Sequence, residues 1–208
     1  MGRASAVGWA KARNAPCPGG LNLSTEPVIS CRHVTISPRK DRGRCILLHG
    51  HARRPVERSF IRHINRLRRM YKTVHERNPF ETIAICVLPD HLHAIWALPP
   101  GCSDFATRWS LIKSAFSRGL AVEMPRSASK LARRERGIWQ RRYWEHVVRD
   151  DGDLERHADY IHFNSLKHGY VTKVADWPHS AFHRFVSRGV LPAHWGGDMR
   201  DPAGEFGE

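Results

Sequence analysis

Long hydrophobic runs are what this 208-residue sequence most plainly lacks. The longest, Cys45-Ile46-Leu47-Leu48 and Ile83-Ala84-Ile85-Cys86-Val87-Leu88, fall far short of the roughly 20 residues that cross a bilayer. The N-terminus is basic at Arg3, Lys11 and Arg13 but has no apolar stretch of signal-peptide length, so an intracellular protein is expected, in the cytoplasm and at the nucleoid. The five cysteines, Cys17, Cys31, Cys45, Cys86 and Cys102, include no CxxC pair, which excludes zinc ribbons and fingers and leads to an expectation of free thiols. There is no H-E-x-x-H helix and no internal repeat. Acidic residues are scarce: 20 Asp and Glu stand against 34 Lys and Arg, a net charge of +14. That balance excludes an acidic solvating domain and makes a polyanion, most commonly nucleic acid, the expected partner.

What is present suffices for one domain. Hydrophobic residues make up 41% of the chain, enough for a packed core. Residues 1–30 are rich in Gly, Ala, Pro and Ser and hold no period, and residues 197–208 read as a second weakly ordered tail, leaving a domain over 31–196. Short strands are expected at 33–36 and 45–48. Val56, Phe60, Ile64, Leu67 and Tyr71 recur at helical spacing, predicting a helix over 56–75 with Arg62, Arg66 and Arg69 opposite. Residues 82–98 read as a hairpin turning at Leu88-Pro89-Asp90. A helix over 104–121 follows, with Phe105, Trp109, Ile112, Phe116 and Leu120 as its stripe, then a basic loop at 125–137 and a possible strand within 138–149. Asp150-Asp151-Gly152-Asp153 caps a helix ending near Lys167, His168 and Gly169. A short last element is expected within 170–188.

Two patterns carry chemistry. His91 and His93 are separated by one residue on a strand, so their imidazoles leave the same face and can share a divalent ion. Packing alone also produces such pairs. Tyr160 and Asn164 are one helical turn apart, and a phenol is a competent nucleophile toward a phosphodiester beside a metal. The competing reading makes Tyr160 core and Asn164 surface. Trp109, Trp144 and Trp177 serve either as core or as stacking surfaces for bases.

Taken together, VLPDHLHAIWALP (87–99), RWSLIKSAFSR (108–118), IWQRRYWEHVVRDDGDLERHADYIHFNSLKHGYV (138–171) and DWPHSAFHRFV (176–186) resemble the single-tyrosine branch of the HUH transposases, and within it the REP-associated tyrosine transposases. The resemblance runs over about residues 55–196 and implies an α+β fold, a ferredoxin-like antiparallel sheet with helices on one side. It implies that Tyr160 is the nucleophile and that His91, His93 and Asn164 hold Mg²⁺ or Mn²⁺. The expected activity is cleavage and rejoining of single-stranded DNA at short palindromic hairpins through a 5′-phosphotyrosine link, by a monomer or homodimer away from any membrane. Arg108, Lys113, Arg118, Arg141, Arg142, Trp144 and Lys167 are the expected DNA contacts.

Residues 21–55 depart from the family pattern, and Ser165-Leu166 replaces its usual Pro-Val. Two alternatives stand beside this reading: a DNA-binding relic without catalysis, and a structural zinc protein or metal hydrolase that uses His91 and His93 without Tyr160. The charge generates its own test. Affinity for single-stranded DNA is expected to fall at least about a hundredfold between about 50 and 200 mM salt, measured by fluorescence anisotropy. A flat salt response would remove the electrostatic reading.

Overall fold

The computed structural model describes residues 44–52, 59–118, 120, 136–140 and 143–196. The elements run β1 (Cys45–His51), α1 (Ser59–Arg62), α2 (Ile64–Arg77), β2 (Glu81–Val87), β3 (His91–Ala97), α3 (Phe105–Arg118), β4 (Trp144–Val147), α4 (Asp151–Lys167), a 3₁₀ turn (Val174–Asp176) and α5 (Phe182–Ser187). The expected hairpin is β2–β3, and the expected C-terminal helix is α4. The helix read over 56–75 is instead two, with His63 between them. The strand expected at 33–36 and most of the basic loop lie outside the described residues.

The strands form one antiparallel sheet in the order β2-β3-β1-β4. β1 is longer than the predicted 45–48 and sits between β3 and β4, so part of the divergent 21–55 stretch supplies a central strand. Every residue of β3 is buried. Its two faces, Leu92, Ala94 and Trp96 on one and Ile95 and Ala97 on the other, both need apolar cover. Helices therefore occupy both faces of the α+β sheet rather than one. Ile46, Leu48, Leu92, Ala94 and Trp96 pack with Leu67 and Val74 of α2 and Trp109, Ile112 and Phe116 of α3. Cys45, Leu47, Ile95 and Ala97 pack with Leu154, Ala158 and Ile161 of α4.

Buried polar groups tie these layers together. Trp96 Nε1 donates to the Tyr71 hydroxyl at 2.8 Å, which is paired with Thr82 Oγ1 at 2.5 Å. The Arg66 guanidinium donates to the carbonyls of Ala115 and Phe116, which the end of α3 leaves open. The outer edge of β2 is covered by the chain at 177–184: Val87 N–H donates to His179 O, Ala181 N–H to Ile85 O, and Trp177 Nε1 to Val87 O. Cys45 and Cys86 are buried and form no disulfide, as expected; Cys102 is disulfide-bonded, against the expectation.

Asp150 caps α4 by accepting from Asp153 N–H at 2.8 Å. Gly169, at φ +69°, ends it in the left-handed region that favours glycine. Gly50 matters for a different reason. A Cβ there would run into the Trp109 indole, so glycine lets α3 close on the strand between His49 and His51. Gly50→Ala is expected to destabilise the protein by about 1–3 kcal/mol, read as a lower urea midpoint. An unchanged midpoint would show that Trp109 moves aside freely.

Candidate functional site

The site lies where α4 crosses the β1–β3 face. Antiparallel register sets His49 opposite His93 and His51 opposite His91, and opposed residues leave the same side of a sheet. Four imidazoles thus converge from two neighbouring strands. The His49 and His93 rings stack at 4.0 Å, and His51 lies 5.0 Å from His91. His49 was not singled out from sequence, although His49-Gly50-His51 repeats the spacing of His91-Leu92-His93. Ligand atoms of His49, His91 and His93 lie within 4.8 Å of one another.

α4 brings the remaining groups. The Tyr160 ring, 5% exposed, meets the His93 ring edge-on at 5.3 Å, with Lys167 Nζ 5.2 Å from its centroid. Asn164, one turn later and fully buried, places Oδ1 3.2 Å from His91 Nε2. The end of α4 sets the His168 ring 4.8 Å from His91. His162, in the same motif, turns the other way, toward Ser180 and Phe185. Burial, with Arg184 nearby, pushes its imidazole down to about 3, so it stays neutral.

The donor chemistry fits a cation. His91 Nδ1 is 2.8 Å from Asp90 Oδ1, and a carboxylate can only accept, so Nδ1 carries the proton. Burial raises the Asp90 carboxyl, but the His91 hydrogen bond, the charges of His91 and His51 and a backbone hydrogen bond together outweigh this and leave it below its ordinary value. In the tautomer that carries its proton on Nδ1, the lone pair of Nε2 faces the Asn164 carbonyl oxygen, another acceptor. A cation between them satisfies both. Among the described residues, neither nitrogen of His93 has a hydrogen-bond partner, and neither does Asn164 Nδ2. Burial, then the neighbouring imidazoles, holds His93 well below the ordinary histidine value, which keeps it neutral as metal ligation requires. His91, His93 and Asn164 are the residues that would hold a metal, with His49 close enough to join them.

A second group of metal-binding residue types, His146, Asp153 and His157, reads as a hydrogen-bonded anchor. His146 Nε2 lies 2.8 Å from Asp153 Oδ2 and His157 Nδ1 3.2 Å from Oδ1, and Arg149 and Arg156 also reach this carboxylate. Burial works against the Asp153 charge, but His146, the Arg149 backbone N–H and His157 outweigh it and hold the carboxyl well below the usual range.

Other residues singled out from sequence are scattered. Arg108 is a correction: it is 3% exposed, and its guanidinium donates to the carbonyls of Asn78, Pro79 and Asp104. An arginine on the apolar side of α3 is buried by closing a loop's open carbonyls, so its guanidinium does not stand on the surface as a phosphate contact would. Lys113 lies 5.0 Å from the Tyr143 ring, and exposed Arg118 bonds Ser114. Trp109 is core, Trp177 is half-buried, and Trp144 is exposed. Arg141 and Arg142 lie outside the described residues.

Comparison with known proteins gives a consistent result. The family model described as "Transposase IS200 like" matches residues 48–164. A Haemophilus influenzae relative is 48% identical over 137 residues, 65% of this chain and 78% of its own. The REP-associated tyrosine transposase of Escherichia coli K12 is 44% identical over 140 residues, 67% of this chain and 77% of that protein. A solved REP-associated tyrosine transposase bound to a REP hairpin superposes with a TM-score of 0.65 at 36% identity, covering 84% of this chain and 94% of that one.

The orphaned nitrogens generate a metal test. Mn²⁺ at about 100 times its dissociation constant is expected to add about 2.7 kcal/mol of stability, roughly 5–10 °C in melting midpoint. His93→Ala should abolish that response. A melt insensitive to Mn²⁺ and to chelator would remove the metal assignment.

Proposed function

The chain belongs to the IS200-like transposases and, among them, to the REP-associated tyrosine transposases, and on that premise we propose that it cleaves and rejoins single-stranded DNA with Tyr160 as nucleophile. The observation that carries this reading is the convergence of His91, His93 and Asn164 beneath the Tyr160 ring, in a face that holds partnerless buried nitrogens.

Each residue has a task set by its position. His91, oriented by Asp90, and His93, buried and neutral, would bind Mg²⁺ or Mn²⁺ with the Asn164 carbonyl oxygen. When bound, the divalent ion supplies Lewis-acid polarisation of the scissile phosphate. The Tyr160 oxygen forms a bond to phosphorus as the bond to the 3′ oxygen breaks. The phenol gives up its proton and the departing 3′ oxygen gains one, leaving a 5′-phosphotyrosine link and a 3′-hydroxyl. The same hydroxyl, or another, reverses the exchange, so no external energy source is required. Lys167, beside the Tyr160 ring, is placed to favour the phenolate and the phosphate charge.

Lys113, Arg118, Arg141 and Arg142 are proposed phosphate contacts outside this centre. The proposed form of the target follows the relative that was solved with a REP hairpin: an unpaired strand next to a short palindromic hairpin. The relic reading took its motive from residues 21–55, and β1 in the sheet centre weakens that motive.

Tyr160→Phe keeps the ring against His93 and removes only the hydroxyl. It is expected to eliminate the covalent protein–DNA adduct on a denaturing gel, using a single-stranded hairpin substrate, while the melting midpoint stays within about 2 °C. Tyr143 packs near Trp109 and Lys113, and Tyr170 is a surface residue stacked on Trp177. An adduct that persists in Tyr160→Phe, or that tracks either of these, would overturn the assignment.

A further inference from the structure

The register of the sheet extends the histidine row by one strand. His49 opposes His93 on β3 and Trp144 on β4, so His93, His49 and Trp144 form one line across three strands and leave the same face. Two strand spacings, about 10 Å, separate the first from the last. β4 is the final strand of the sheet, and Trp144 is 51% exposed, the most exposed large apolar side chain among the described residues.

Its position is built, not incidental. The Trp144 indole lies parallel to the His146 ring, 5° apart with centroids at 5.8 Å, and His146 stacks on His157 at 4.6 Å. The two imidazoles are held by Asp153, a carboxylate only 1% exposed. Arg149 and Arg156, which also reach Asp153, keep 71% and 50% of their side chains exposed beside this column. An outward aromatic surface, a fixed backing and two flanking cations match the requirements of a single-stranded base and its phosphate.

Resting on the function proposed above, we propose that Trp144 is the stacking platform for an unpaired base adjoining the scissile phosphate, with His146 as the positioning residue that Asp153 locks in place. The row geometry puts this subsite at the edge of the Tyr160 centre, on the side of β4. A base seated there sets which phosphate reaches Tyr160, so the platform contributes to the choice of cleavage position as well as to affinity.

The test uses the full chain and a hairpin-bearing single-stranded oligonucleotide with 2-aminopurine placed at each unpaired position in turn. With the parent protein, one position next to the cleaved phosphate should show quenching by stacking. Trp144→Ala should lose that quenching and bind about tenfold more weakly, with an unchanged melting midpoint, and should scatter the cleavage position. Trp144→Phe should restore most of both. If the parent forms adduct while Trp144→Ala binds and cleaves like it, the platform alone is overturned. A change of oligomeric state in Trp144→Ala at unchanged DNA affinity would overturn it in favour of a protein interface. A parent chain that neither binds the oligonucleotide nor forms adduct overturns the proposed function, and this subsite with it.

Discussion

The rotational setting of α4 on the β1–β3 face is the constraint on which the rest of the structure depends. Leu154, Ala158 and Ile161 bury themselves against Cys45, Leu47, Ile95 and Ala97 and leave the helix one way to lie. Beside that apolar stripe runs a polar one at helical spacing: Asp153, His157, Tyr160, Asn164 and His168. Its members meet the sheet at three points. Asp153 and His157 engage His146, Tyr160 lies over His93, and Asn164 and His168 close on His91. Turning α4 by one residue would break all these contacts together, and a one-residue slip of β3 would send both histidines to the α2–α3 side.

Such a site opposes folding stability. His93 and Asn164 are fully buried with polar atoms that no group among the described residues satisfies, each a desolvation penalty of about 1–3 kcal/mol. The surrounding structure offsets this with well-satisfied networks elsewhere: Tyr71, Thr82 and Trp96 beneath the sheet, Arg66 on the end of α3, and Arg108 on the carbonyls of Asn78, Pro79 and Asp104. Unpaired buried nitrogens also occur elsewhere, on the indoles of Trp109 and Trp139, but these are donors set in an apolar core, whereas those of His93 and Asn164 lie together among imidazoles under α4.

Much of this was legible in the residues. Period two put His91 and His93 on one face, helical period put Tyr160 and Asn164 on another, and the acidic cap and Gly169 bounded α4. These are local properties, decided by strand alternation and capping within a few residues. The order and spacing of the motifs carried the family, because a catalytic constellation restricts residue types at separated positions more tightly than a core does.

What only the tertiary structure decided was non-local. No local signal says that β1 lies between β3 and β4, and so none brings His49 onto His93 or lines Trp144 up with both. Arg108 and Trp144 are the clearest reversals of residue type. The arginine is buried because distant carbonyls needed donors, and the tryptophan is exposed because its strand is the last in the sheet. Sequence by itself determined which elements form and which way their side chains point. Strand order and helix docking decided which of those side chains meet, since both are fixed by contacts between segments far apart in the chain.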